Sequence, residues 1–149
     1  MSSLTESVYR EAATLPLKDA AFELWRYKYN FDSEELPPRP PVDLSDPEVS
    51  RHFTANFNES YRREREQAHD GIMFDRMKRV HPRASDADLK QAIKAAVKLH
   101  DDCDRYFDRD YADFAKAVEQ AVAKARLANP GFLETTYRSA ESNLLFLWK

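Results

Sequence analysis

The stretch Ser85–Asn129, SDADLKQAIKAAVKLHDDCDRYFDRDYADFAKAVEQAVAKARLAN, decides the fold class. Its seam runs Leu89, Ile93, Ala96, His100, Cys103, Phe107, Tyr111, Phe114, Val118, Ala121, Ala125 and Ala128. Steps of three and four alternate along it, the spacing of a helix face that packs on other helices. One extra step of four, Phe107–Tyr111, is a stutter. His100 is the one polar break in the seam. Ser85 caps the start with Asp88 three residues on, and Asn129-Pro130-Gly131 closes the end. A break at Asp108-Arg109, with Asp110 and Asp113 capping a second helix, is the alternative. The lack of Gly or Pro there, and three aspartates (101, 102 and 104) badly placed for a helix C-terminus, favour one helix over about 86–128.

Upstream, Ser45-Asp-Pro-Glu48 is a helix start, with a cap, Pro at the first helical position and an acid at the positive end of the dipole. The next clear breaker is Pro82, so a helix over about 47–80 is expected. Val49, Phe53, Phe57 and Tyr61 stripe its first half, and Met73, Met77 and Val80 its last part. Between them Arg62–Asp70 is almost wholly polar and Gly71 follows; the helix crosses solvent there, kinks near Gly71, or turns polar groups inward. With the turn at His81–Ala84, the two long helices form an antiparallel hairpin in which facing positions sum to about 166. Its tip carries Arg76, Lys78, Arg79, His81 and Arg83, but no aromatic stacking group. This disfavours nucleic acid.

Ser3 and Glu6 form a capping box for a short first helix, and Pro16 begins a second over about 17–31. Phe22, Trp25 and Tyr29 share one of its faces, read as core or as a docking surface. Pro37, Pro38, Pro40 and Pro41 make a stiff connector, with two PxxP spacings. After Gly131 a last helix covers about 132–148. Its tail Leu144–Trp148 is apolar all round, and is either buried or, through Leu145 and Trp148, a protein-binding surface. The expectation is an all-α single domain (1–149): N-terminal helices in 1–35, a Pro-rich connector in 36–46, then the hairpin and C-terminal helix in 47–149.

Composition narrows the function classes. The 149 residues carry a formal net charge of −3, 33% charged and 42% hydrophobic residues, and only two glycines. That is a globular, helix-rich composition without a basic field for nucleic acid or anionic membrane. One cysteine, Cys103, excludes an internal disulfide or a multi-cysteine metal site. Met1–Glu11 has no apolar signal core, and no run approaches the roughly 20 residues of a membrane span, so a cytoplasmic location is expected.

No phosphate loop, nucleophile elbow, zinc spacing or calcium loop is present. The hairpin register would set His100 opposite Glu66, with His69 and Asp104 one turn away. Glu66, His69, His100 and Asp104 are therefore the candidate ligands of a divalent metal, against a plain buried polar layer. The segment Ala95–Asp101, with its His100-Asp101 pair, resembles the His-Asp segment of HD-type phosphohydrolases over seven residues, which implies a helical metalloenzyme. Without catalytic motifs, the leading expectation is a non-catalytic accessory, regulatory or adaptor protein that needs no cofactor. It would work by helix–helix contact with a protein partner or by self-association.

Overall fold

Side-chain caps set where four of the helices begin. The computed structural model describes residues 3–37 and 43–148, Trp148 only by its place in a helix. Among the described residues it is all-helical: α1 (Leu4–Ala12), α2 (Leu17–Arg26), α3 (Lys28–Glu35), α4 (Pro47–Glu66), α5 (Ile72–Val80), α6 (Asp86–Tyr106), α7 (Phe114–Ala128) and α8 (Glu134–Trp148). Ser3, Asp46, Ser85 and Asp113 accept from backbone N–H groups two or three residues on, at 2.9–3.2 Å, and start α1, α4, α6 and α7.

The core is organised on α2 packed against α6. From α2 come Ala20, Ala21, Phe22, Leu24 and Trp25; from α6 come Leu89, Ile93, Ala96, Leu99 and Cys103, all buried. Helices α1, α5 and α8 close on α2, and α7 closes on α6. The start of α8 is capped from a distance. Buried Asp19 of α2 accepts from the Leu133 N–H at 2.8 Å and the Thr136 hydroxyl at 2.6 Å.

Three long helices expected from the periodicity are each broken in two. The segment 86–128 is α6 and α7, not one helix. Phe107 leaves the helical region (φ −71°, ψ 117°), Asp108 folds the linker by accepting from the Asp110 N–H at 3.0 Å, and Asp113 caps α7. Phe107 and Phe114 meet edge-on across this corner, with centroids 5.5 Å apart, so the seam continues in space although the helix does not. The segment 47–80 breaks at Gln67–Gly71, where Gly71 takes φ 103°, a conformation that costs glycine least. The long hairpin of 47–80 on 86–128 is thereby reduced to α5 and α6, with Lys78 reaching Asp86 at 3.2 Å across the turn. The second N-terminal helix breaks at Tyr27 (φ −101°, ψ 14°), which turns α3 away from the α2 line.

Candidate functional site

Helix α4 differs from every other long helix here: none of its twenty residues is buried. Its four-residue apolar spacing places Val49, Phe53, Phe57 and Tyr61 on one stripe, while Glu48, Arg51, Glu59 and Arg62 fall on the opposite face. The rings stack in series. Phe53 and Phe57 centroids are 6.2 Å apart, Phe57 and Tyr61 6.3 Å with planes 5° apart, and the Arg65 guanidinium lies 4.4 Å from the Tyr61 ring centre. Phe53 and Phe57 remain 39% and 49% exposed.

The C-terminal half of the stripe, Phe57 and Tyr61, lies on one wall of a groove of about 530 Å³ whose other wall is α3 and the chain just after it. Phe57, Ser60 and Tyr61 face Tyr29, Ser33, Leu36 and Pro37 across it. Lys28, Asp32 and Glu64 also line it; Lys28 pairs with Glu64 and lies 3.7 Å from Asp32. The Lys28 ammonium sits 4.6 Å from the Tyr29 ring centre. Burial raises the Tyr29 hydroxyl pKa above its ordinary 10, and neighbouring Tyr61, Glu64 and Asp32 add to the shift, so the phenol keeps its proton. Arg65 stays charged: burial opposes its charge, and Tyr61, Asp101 and Asp104 together outweigh that.

Beside this groove, under the last turn of α4, a second cleft of about 310 Å³ is lined by Trp25, Met73 and Arg76, among others. Arg76 is buried, at 3% exposure, and holds α3 to α5. Its Nε donates to Glu35 at 3.0 Å and its Nη2 to Asp32 at 2.9 Å, and the guanidinium lies 5.0 Å from the Phe31 ring centre. The sequence pattern puts Arg76 on a basic tip; the structure buries it. Its position on the Met73–Met77–Val80 face was the available signal that it points inward. Arg79 and Lys78 also face carboxylates, at 3.9 Å from Glu35 and 3.2 Å from Asp86.

The sequence-predicted docking residues divide. Phe22 and Trp25, at 0% and 3% exposure, are core and offer no surface; Tyr29, beyond the Tyr27 break, is 58% exposed and lines the groove. At the other end Leu144 is buried, whereas Leu145, Phe146 and Leu147 are 37%, 84% and 48% exposed, so the apolar tail is not covered as a whole. The Trp148 side chain, and the PxxP pairs apart from Pro37, lie outside the described residues.

The candidate metal ligands do not converge. Glu66 is held by Arg62 of its own helix at 3.1 Å, and His69 Nε2 lies 3.2 Å from Asp70. His100 packs edge-on to Trp25, with centroids 6.3 Å apart, and its buried Nδ1 lies 3.7 Å from Asp101 without a hydrogen bond. Asp104 contributes to the field at Arg65. Among the described residues no group of three or more His, Cys, Asp or Glu is placed to hold a metal ion. The break at Gln67–Gly71 is the reason: Glu66 and His69 no longer share one helix face. The facing register survives locally, since Arg65 lies 3.6 Å from Asp101. Among the described residues no helix is long and apolar enough to cross a membrane.

Comparison of the chain with family profiles, curated proteins and solved structures gives no match.

Proposed function

We propose that this chain is a non-catalytic helical accessory or adaptor protein, and that its α3–α4 groove receives an amphipathic helix of a protein partner. The supporting observation is α4 itself: a twenty-residue helix with nothing buried and a series of stacked, partly exposed aromatic rings along one face. Isolated helices of this length are marginal in water and draw most of their stability from packing. A contiguous exposed apolar stripe marks a contact surface rather than scatter.

The chemistry of the groove selects the kind of partner. The walls are α4 on one side and α3 with the two residues after it on the other; the helical parts have internally bonded backbones, so they offer a trough to a helix rather than an edge to an extended strand. The two cations at this end, Lys28 and Arg65, each already face a carboxylate rather than standing open to phosphate. The opposite face mixes Glu48 and Glu59 with Arg51 and Arg62, unlike the Lys/Arg-rich face of a membrane-surface helix. A helix seated between both walls covers Tyr29, Leu36, Phe57 and Tyr61 together.

The test is an NMR titration of labelled protein with a panel of amphipathic helical peptides and their scrambled counterparts. Shift changes are expected on α3 and α4, to be lost in Phe57→Ser and Tyr61→Ser variants. Equal responses to scrambled peptides, or changes mapping to α7 and α8, overturn the proposal.

A further inference from the structure

Charge, rather than an apolar core, holds α4 to the body. Among the described residues, two ion pairs close together tie its C-terminal end to neighbouring helices: Glu64 with Lys28 of α3, and Arg65 with Asp101 of α6 at 3.6 Å. Just beyond them the helix stops at Gln67, and the chain passes through Gly71 at φ 103°, where no heavy atom stands within 4 Å of a Cβ position. Gly71 therefore has the backbone freedom and the space of a hinge, while Ala68 beside it is buried and Asp70 is paired with Lys90 at 3.1 Å, so this end of the segment stays with the body.

From this arrangement we infer that α4 is a releasable strap, clamped by the Lys28–Glu64 and Arg65–Asp101 pairs and swinging on Gln67–Gly71 to uncover the Trp25 cleft. The inference does not depend on what occupies the α3–α4 groove. Its strongest support is the second carboxylate beside Lys28. The Lys28 side chain is only 8% exposed, and a buried ammonium left without a partner would oppose release. Asp32, on the same helix as Lys28, already lies 3.7 Å from its Nζ, so the ammonium keeps a counter-charge when Glu64 departs. Glu64 itself is 43% exposed, and Arg65 and Asp101 are 33% and 39% exposed, so all three gain water on opening. Release leaves no buried ion alone, and the closed state depends on pairs that salt screens. What opens is the cleft under the last turn of α4, where Trp25 and Met73 are each 3% exposed and the Lys28 ammonium sits 5.4 Å from the Trp25 ring centre.

The experiment uses the full chain with Trp148→Phe, so that Trp25 is the sole tryptophan. Amide hydrogen exchange and acrylamide quenching of Trp25 are compared at low salt and at about 1 M sodium chloride, where the screening length falls to about 3 Å. Both are repeated for Glu64→Gln with Arg65→Gln. At high salt, and in the double variant at either salt, α4 amides are expected to exchange about tenfold faster or more while α5 and α6 amides are unchanged. Trp25 quenching rises in parallel. Three results overturn the strap: α4 amides already unprotected at low salt, no response to salt or to the substitutions, or loss of protection by α4, α5 and α6 together. The salt arm needs no substitution, so a misfolded variant does not decide the matter.

Discussion

Replacing Phe22 and Phe57 by alanine, one at a time, should give opposite outcomes although both residues sit in aromatic, helically spaced stretches. Phe22 is 0% exposed in the α2–α6 core, and its truncation removes a full ring from a packed site. Losses of this kind run to about 3–5 kcal/mol, from transfer plus the cavity left behind. For a chain of this size, about 4 kcal/mol lowers the thermal midpoint by roughly 8–16 °C. Phe57 is 49% exposed, and its ring contacts are with Phe53 and Tyr61 of the same helix. Truncation removes two i,i+4 contacts, each about 0.2–0.5 kcal/mol and local to α4. The global unfolding free energy should therefore change by about 1 kcal/mol at most. Urea unfolding followed by circular dichroism, with slope and midpoint fitted separately, measures both. A Phe57→Ala loss above about 1.5 kcal/mol would mean that α4 belongs to the cooperative core, and the groove reading would fall. A Phe22→Ala loss below about 1 kcal/mol would refute the α2–α6 core.

Further outcomes follow from Asp19, Cys103 and Asp102. Asp19→Ala strips the buried Thr136 hydroxyl and the partly buried Leu133 N–H of their acceptor and should cost about 1–3 kcal/mol by thermal melt, with Asp19→Asn recovering part; equal stability of all three proteins would refute the capping role. Burial, with Asp102, Asp104 and Glu141 nearby, pushes the Cys103 thiol up to about 12, so Ellman's reagent should react only as fast as the chain unfolds at pH 8. Because the unfolded thiol ionises first, stability should fall as pH rises from about 9 to about 12, and Cys103→Ala should remove that component. Burial pushes the Asp102 carboxyl up, but bonds from Asn129 and Lys98 overcome this and hold it below its ordinary value. Its stabilising contribution is present above about pH 4 and lost on acidification, so Asp102→Asn should flatten the acid limb of stability against pH.

The all-helical class was legible because caps and three-four spacing are local. Ser3, Asp46 and Ser85 act where their types and positions suggested. Helix continuity was not legible, because periodicity reports which face is apolar and not whether the backbone turns between two faces. Phe107 and Phe114 stay on one seam across a corner that only Asp108 and Asp113 announce. Tyr27 breaks a helix with no Gly or Pro beside it, since the change of direction is set by what α3 packs against. Arg76 was misread because composition places arginine outside. Its burial depends on Asp32 and Glu35, some forty positions away and on another helix. The candidate docking residues split for the same reason: the Tyr27 break leaves Trp25 in the core and Tyr29 at the surface.

The reach of Asp19 to Leu133 and Thr136 spans 114 and 117 positions of sequence. As the chain leaves the ribosome, α2 and its carboxylate emerge long before their donors. The α2–α6 pair can begin to assemble once residue 106 is out, but it must keep the Asp19 end open to water until α8 arrives. Closing that end is thus a late event that joins the first part of the chain to the last. A nascent chain stalled before residue 133 would hold most of the core yet leave the Asp19 end of α2, which the start of α8 later caps, open to solvent.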